Sequence, residues 1–145
     1  GFRTNPFLAP MEIRGLGGKT LREHWREGAQ AYLGVCTSGF PNFFMMYGPN
    51  TNLGHNSIVI MSEAQADFIQ ACIKRMQGAG ALVVKPEAEE AFNRELQNRL
   101  SKMVWNSLDA SWYKDGGRVT NNWAGTTLEY MRRMRRIQWQ DFEVR

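Results

Sequence analysis

The residues with the most chemical potential lie in a loop between an apolar run and a long helical segment. Gly48-Pro49-Asn50 ends the run Phe43–Tyr47, and the polar stretch Thr51–Gly54 follows. His55-Asn56-Ser57 comes next, where a helix is expected to begin. Because the first N–H groups of a helix lack partners and carry partial positive charge, this arrangement favours an anion such as a phosphate. A plain strand-to-helix connection has the same pattern, so both interpretations stay open.

Other chemical motifs are weaker. The stretch Gly17-Gly18-Lys19-Thr20 is not a full phosphate-binding loop, because that pattern requires a glycine at the position of Ile13. His24 and His55 are far apart, with no cysteine or carboxylate at ligand spacing, so we expect no metal site. A Ser-His-Asp triad stays open, although the chain has no G-x-S-x-G motif.

Large aromatic and basic side chains each allow two interpretations. Trp112 and Trp123 stand beside polar or glycine residues and could stack on a ligand, although core packing is the commoner role of tryptophan. Four arginines near the C-terminus form either a solvated, ion-paired face or a contact to nucleic acid or to a cofactor phosphate. These are Arg132, Arg133, Arg135 and Arg136.

Composition sets broad limits on function. The 145 residues carry a net charge of +4, which is mild and does not demand a nucleic-acid partner. Cys36 and Cys72 are the two cysteines, and the sequence contains no glycosylation sequon or signal peptide, so we expect a cytoplasmic protein. No apolar run of about 18 residues occurs, so we expect no membrane-spanning segment.

The elements that must position these residues follow from periodicity and capping signals. The residues from His55 or Asn56 to Met76 are predicted to be helical, and the apolar first half predicts a helix buried all round. A capping box at Thr20 predicts a short helix to about Gly28. A third helix is predicted from Pro86 to about residue 104. Strands are predicted at Ala31–Val35, Phe43–Tyr47, Leu82–Val84 and Ser111–Tyr113, a turn at Asp115–Arg118, and irregular structure at Val119–Gly125.

Several stretches together resemble one protein family. Tyr32–Val35 and the block Gly39–Ile58 closely resemble the FAD-contacting C-terminal segment of Baeyer–Villiger-type flavin monooxygenases, especially the branch of 4-hydroxyacetophenone monooxygenase. Gly1-Phe2 resembles the end of that family's Ala-Thr-Gly-Phe motif. Ser111–Tyr113 and Gly117–Gly125 resemble its C-terminal active-site loop. The resemblance covers nearly the whole chain.

The resemblance implies an α/β fold. The resemblance further implies that the chain is the C-terminal portion of a Rossmann-like FAD-binding domain with a helical and irregular C-terminal extension. We expect residues 1–80 to close the FAD-binding domain and residues 81–145 to form the extension, which carries the active-site loop. The family's GxGxxG motif, its NADP-binding domain and its essential arginine have no counterpart in this sequence. We therefore expect a piece of a longer chain that is inactive without the remainder of its parent.

The resemblance also implies FAD and NADPH as cofactors. In enzymes of this family NADPH reduces the flavin, the reduced flavin reacts with O2 to a C4a-peroxyflavin, and one oxygen atom is inserted into a ketone; the resemblance implies the same reaction for the parent of this chain. Trp112 would lie near the NADP ribose or the substrate pocket. The flavin would contact the loop and the helix N-terminus, whose positive end suits the negative charge of the reduced ring. The residues concerned are Gly48, Pro49, Asn50, Thr51, Asn52, Leu53, His55, Asn56 and Ser57.

The expected partners are a small organic ketone or heteroatom substrate, O2 and the remainder of the parent chain, without nucleic acid or membrane. Three alternatives stay open. The parent could oxygenate nitrogen or sulfur instead of a ketone. The chain could be a non-catalytic binding module that uses its arginine-rich tail, or a structural domain that retains the family's shape without a cofactor.

Overall fold

The structure is a computed structural model, and it describes residues 7–8, 11–54, 57–76, 78, 80–103, 114–115 and 118–145. The α-helices among these residues are α1 (Leu21–His24), α2 (Ile58–Arg75), α3 (Pro86–Leu100) and α4 (Thr127–Arg135). The strands are β1 (Leu82–Val84), β2 (Lys114–Asp115), β3 (Arg118–Val119) and β4 (Phe142–Val144). Short 3-10 helices lie at Leu16–Gly18 and Trp139–Asp141.

The capping box that the sequence predicts at α1 is confirmed. Thr20 Oγ1 accepts a hydrogen bond from Glu23 N at 3.2 Å, and Glu23 Oε2 accepts one from Thr20 N at 2.7 Å. The helix is shorter than predicted, because it ends at His24 and gives way to turns before Gly28.

Helix α2 has the predicted extent but not the predicted burial. Its middle is buried at Met61 and Ala64, as the apolar sequence indicates. The first turn is different: Ile58, Val59 and Ile60 are 37%, 64% and 38% exposed. The expectation of burial all round is therefore wrong for this turn, because the described part of the chain packs only against its inner face.

The predicted strands Ala31–Val35 and Phe43–Tyr47 are also wrong. Leu33 and Gly34 have φ values of 53° and 71°, so the chain reverses and Tyr32 N donates to Cys36 O at 2.7 Å. The second segment forms one isolated bridge, Phe44 to Cys36. A strand needs a hydrogen-bonding neighbour along its length. Among the described residues, the tight turn at residues 32–36 provides hydrogen-bonding groups for only a short part of the second segment.

Strand β1 confirms the third strand prediction, and it finds its partner at the end of the chain. It pairs antiparallel with β4, which joins Leu82 to Val144 and Val84 to Phe142. Asp115 pairs with Arg118, as the predicted turn requires. Ser111–Tyr113 lies outside the described residues. The sequence reasoning missed both α4 and β4, although Thr126 with Glu129 three residues later is a helix-start signal.

The core lies between α2 and α4 and extends to α3 and β1. Phe68 of α2, Leu100 of α3 and Tyr130 of α4 are almost fully buried there. Phe142 of β4 also packs into this core and contacts Phe68. The mixed helix and strand content confirms the α/β class. The division at residue 80 stays a prediction, although core contacts cross it.

Candidate functional site

The loop of residues 48–54 lies against the segment of residues 118–125. Asn50 N donates to Thr120 O at 2.8 Å, and Asn52 N donates to Asn121 O at 3.0 Å. Trp123 N in turn donates to Asn52 O at 2.9 Å. The resemblance pointed to these two stretches separately. The fold joins them by backbone hydrogen bonds, which the sequence reasoning did not predict.

Asn50 is the buried centre of this junction. Its Nδ2 donates to Val119 O at 2.7 Å and to Asn122 O at 3.0 Å. Its φ of 59° lies in the left-handed region, which asparagine tolerates better than most residues. Thr51 Oγ1 donates to Gly48 O at 2.7 Å and closes the loop on itself. The Asn50 and Thr51 side chains are therefore occupied within the protein, so they shape the loop.

Asn52 lies at the more open edge of the loop. Its Nδ2 donates to Asn122 Oδ1 at 3.0 Å, and its Oδ1 accepts from Tyr47 Oη at 2.7 Å. Partial burial raises the pKa of the Tyr47 hydroxyl, so this group stays protonated and can donate at neutral pH. The buried centre and the open edge of the loop are thus both held by side-chain amides, those of Asn50 and Asn52.

Gly48 has a packing role in this fold, whereas its place beside a candidate ligand suggests that it lets the backbone approach that ligand. A Cβ atom on Gly48 would lie 2.4 Å from Gly34 O. A Cβ atom on Gly34 would lie 2.1 Å from Thr51 Cγ2. The loop therefore packs closely on the turn at residues 32–36, against backbone at Gly48 and against Pro49 O and the Thr51 side chain at Gly34, which leaves no room for a side chain at either glycine. Gly54 is exposed, and its Cβ position meets no atom within 4 Å.

The first turn of α2 is electrostatically distinct. Helices α1, α3 and α4 each have an acidic residue in the first turn, whereas α2 has none. Its positive end is therefore not offset by a carboxylate of its own. The apolar side chains of Ile58, Val59 and Ile60 are exposed beside it. A positive helix end beside exposed apolar side chains suits a flat ligand with an anionic edge.

Known proteins share this architecture. FAD-binding monooxygenase ktnD of Aspergillus niger is 39% identical over 150 residues, which cover 98% of this chain and 25% of the relative. A Baeyer-Villiger monooxygenase of Streptomyces coelicolor is 36% identical over 99% of this chain and 29% of its own length. The solved structure of oxidized steroid monooxygenase bound to NADP superimposes with a TM-score of 0.79 at 32% identity, over 92% of this chain and 26% of that one. No family model matches.

The chain is homologous to a segment of the Baeyer–Villiger-type flavin monooxygenases. The resemblance that the sequence suggested is thereby confirmed. The chain spans between 25% and 29% of the length of the two curated relatives just described.

Trp123 belongs to the core of this chain. It is 3% exposed, stacks on Phe92 with ring centroids 6.4 Å apart, and meets Tyr130 edge to face. The guanidinium carbons of Arg99 and Arg133 lie 5.8 and 5.7 Å from its ring centroid. The core-packing interpretation is therefore the right one for this tryptophan.

The same arginines form an ion-pair network across α3 and α4. Arg99 Nη1 and Nη2 lie 2.5 and 2.8 Å from the two carboxylate oxygens of Glu129. Arg133 Nη2 lies 2.6 Å from Glu95 Oε1. The hydrogen bonds from Arg99 hold the pKa of Glu129 below its ordinary value. The ion-pair interpretation of the arginine-rich tail is thus confirmed for Arg133, while Arg132, Arg135 and Arg136 are exposed.

A buried carboxylate lies on the other side of α3. Glu89 accepts from Thr37 Oγ1 at 2.6 Å and from Ser38 N at 2.9 Å, and His24 Nε2 lies 3.5 Å away. Burial alone would raise the pKa of Glu89, but these donors outweigh it and lower the pKa. The described residues contain no group of three His, Cys, Asp or Glu side chains that could hold a metal ion.

The structure places the predicted site residues unevenly. Gly48, Pro49, Asn50, Thr51 and Leu53 are buried, Asn52 is partly exposed, and Ser57 stands exposed at the start of α2. The remaining three, His55, Asn56 and Trp112, lie outside the described residues.

Sequence reasoning missed the buried side chains beneath the loop. Gln65 of α2 and Tyr130 of α4 are fully buried and hydrogen-bonded to each other at 2.7 Å. A glutamine among apolar residues on the inner face of α2 was the available signal, because a buried amide requires partners.

Proposed function

We propose that this chain forms part of the flavin site of an FAD- and NADPH-dependent monooxygenase, which inserts one oxygen atom from O2 into a ketone. The observation that carries the proposal is the junction of the 48–54 loop with the 118–125 segment beside the N-terminus of α2. The names of the relatives support it: FAD-binding monooxygenase, Baeyer-Villiger monooxygenase, and steroid monooxygenase bound to NADP.

The described residues fit a flavin. The first turn of α2 combines a positive helix end, free of acidic side chains, with the exposed apolar groups of Ile58, Val59 and Ile60. A flavin ring is flat and apolar on its faces, and its polar edge becomes negative on reduction. When bound, FAD would supply the electron transfer and the activation of O2. The chain's own contribution is to present backbone N–H groups to that edge and to exclude water from one side.

The nine cofactor-binding residues divide by role in this proposal. Asn50 and Thr51 shape the loop from within, because their side chains are occupied by backbone partners. Asn52 lies at the accessible edge of the loop, and Ser57 is exposed just before α2. Contact with the flavin is therefore proposed to come mainly from the backbone of residues 48–54 and from the start of α2. His55 and Asn56, which lie outside the described residues, stay proposed flavin contacts. Trp112 is proposed to lie near the NADP ribose or the substrate.

The other proposed properties follow from the same assignment. A ketone is preferred over a nitrogen or sulfur substrate because two of the relatives carry the Baeyer–Villiger name. O2 and the rest of the parent chain are the further partners. No described helix is long and apolar enough to span a membrane. A cytoplasmic location is proposed because both cysteines, Cys36 and Cys72, are unpaired thiols.

The first experiment uses the full-length parent. We expect the purified protein to be yellow, to oxidise NADPH in the presence of O2, and to convert a cyclic ketone to a lactone. An aryl sulfide offered in parallel measures the heteroatom alternative, and dominant sulfoxide formation would favour it. A colourless protein that binds added FAD no better than an unrelated control would contradict the proposal.

A charge substitution tests the flavin-facing helix end. Val59→Glu places a carboxylate in the first turn of α2, where Val59 is 64% exposed and tolerant of exchange. Negative charge there opposes the charge of the reduced ring. We expect a less positive flavin midpoint potential, equivalent to about 0.3–1 kcal/mol. Val59→Gln is the matched neutral control, and equal potentials in the two variants would argue against a flavin near this turn.

A further inference from the structure

Backbone strain is concentrated around the 48–54 loop. Five non-glycine residues in the described part of the chain have positive φ: Leu8, Leu33, Asn42, Tyr47 and Asn50. Three of them, Leu33, Tyr47 and Asn50, lie in this loop or immediately beside it. The left-handed region is energetically unfavourable for leucine and tyrosine, so contacts with surrounding residues must hold them there. Such strain is typical of sites where the backbone geometry itself has a function.

A buried relay of hydrogen bonds holds two of these strained residues. Gln65 Oε1 accepts from Tyr47 N at 2.9 Å. Gln65 Nε2 donates to Tyr130 Oη at 2.7 Å, and Tyr130 Oη donates to Leu33 O at 2.7 Å. Gln65 and Tyr130 are each 0% exposed. The relay therefore connects α2 and α4 to two backbone groups, one at Tyr47 just before the loop and one at Leu33 in the turn on which the loop packs.

The two anchored residues each precede a glycine on which the loop depends. Tyr47 precedes Gly48, and Leu33 precedes Gly34. The two glycines are packed so closely that a Cβ atom on Gly48 would lie 2.4 Å from Gly34 O. A shift at either anchor would therefore move one backbone against the other, and the loop with it.

We propose that Gln65 and Tyr130 are positioning residues for the flavin-facing loop, which they hold in its strained conformation through Tyr47 N and Leu33 O. This inference rests on the proposed function, because it assigns the loop to the flavin. Neither residue contacts the cofactor in this proposal; Gln65 acts through the backbone at Tyr47, and Tyr130 acts through the backbone at Leu33.

The relay is suited to this role because its two side chains, Gln65 and Tyr130, are fully buried and their polar atoms have partners. Burial raises the pKa of the Tyr130 hydroxyl, so the group remains a donor to Leu33 O across the physiological pH range. Both polar ends of the Gln65 side chain have partners. A buried network in which every member is satisfied specifies one geometry, because any alternative leaves a polar group unpaired.

The chain offers a matched pair of tyrosines for the test. Tyr130→Phe removes the hydroxyl that bonds to Gln65 and Leu33. Tyr32→Phe removes the hydroxyl of another buried tyrosine, which donates to Asp141 Oδ2 at 2.6 Å and takes no part in the relay. Gln65→Met is a second relay variant of similar volume. All three substitutions are made in the full-length parent, and each keeps the packing of the core nearly constant.

Two measurements report on the position of the loop. The first is the exchange rate of the backbone amides of Tyr47 and Asn50, followed by mass spectrometry without added cofactor. The second is FAD affinity, together with the visible circular dichroism of the bound flavin. We expect the two relay variants to speed exchange about tenfold and to weaken FAD binding about fivefold to tenfold, which is the effect of losing one net hydrogen bond. We expect Tyr32→Phe to change each less than about twofold.

The outcomes separate this inference from the proposed function. Equal effects of Tyr130→Phe and Tyr32→Phe on both readouts would overturn the positioning role, because both would then reflect general destabilisation. A parent that binds FAD and oxygenates a ketone, but whose relay variants exchange and bind like wild type, would refute the inference alone. A parent that never binds FAD would refute the proposed function, and the exchange rates would still decide whether the relay positions the loop.

Discussion

Four glycine-to-alanine substitutions can separate the two reasons for which this fold requires glycine. Gly39 has a φ of +82° and open space at its Cβ position. Gly48 has no positive φ, but a Cβ atom would lie 2.4 Å from Gly34 O. Gly34 has both obstacles, with a φ of +71° and Thr51 Cγ2 at 2.1 Å. Gly54 has neither.

The expected free energies of unfolding follow from these distances. Alanine in the left-handed region costs about 1–2 kcal/mol, which is the whole effect expected at Gly39. Overpacking a site that cannot relax costs about 1–3 kcal/mol, which is expected at Gly48 because the atom in the way is backbone. Gly34→Ala combines the two and should lose about 2–5 kcal/mol. Gly54→Ala should be neutral or stabilising by up to about 1 kcal/mol, since alanine restricts the unfolded chain.

The assay is urea or thermal unfolding of the chain, followed by circular dichroism. A loss of 1 kcal/mol corresponds to a melting temperature lower by about 2–4 °C for a domain of this size. The expected order of stability is Gly54→Ala first, then Gly39→Ala and Gly48→Ala, and Gly34→Ala last. If Gly34→Ala were no more destabilising than Gly39→Ala, the backbone-on-backbone packing of the loop on the turn would be refuted.

Two further predictions concern buried and half-buried carboxylates. Glu129→Gln should lose about 1 kcal/mol, because its pair with Arg99 is partly exposed and screened by solvent. In urea titrations Glu143→Gln, at a more exposed ion pair, should lose clearly less. Glu89→Gln should lose about 2–3 kcal/mol at pH 7. Because folding lowers the pKa of Glu89, its contribution is complete above the ordinary glutamate pKa and lost as the pH falls through the lowered value. The stability difference between the two proteins should therefore shrink as the pH falls below the ordinary glutamate pKa, and a difference that stays unchanged on acidification would contradict the assignment.

Local signals in the sequence were sufficient for several elements. The Thr20 capping box, the extent of α2 and the strand at Leu82–Val84 are confirmed, because each depends on residues that are close in the chain. The family resemblance is confirmed as well. It rests on the order of residues in the Gly39–Ile58 block, which the sequence displays without any knowledge of contacts.

Other features could not be predicted from local patterns. The run Phe43–Tyr47 has the composition of a buried strand, yet it pairs with a tight turn at Cys36 and forms no strand. The apolar start of α2 was expected to be buried but is exposed in the described chain. Periodicity records which side chains are apolar, but it does not record which neighbours are present to cover them or to accept their hydrogen bonds.

The sequence by itself determined the family and a candidate loop at residues 48–57. Only the tertiary structure shows that this loop lies against residues 118–125. It also explains why Gly48 must be glycine, because a Cβ atom there would lie too close to Gly34 O. It also showed that Asn50 is a buried connector and that Gln65 and Tyr130 hold the backbone beneath the loop. The physical reason is that the hydrogen bonds of Asn50 and Tyr130 join residues separated by 65 to 97 positions along the chain. The packing of α2 against α4 brings residues at such separations together, and no local spacing in the sequence predicts these contacts.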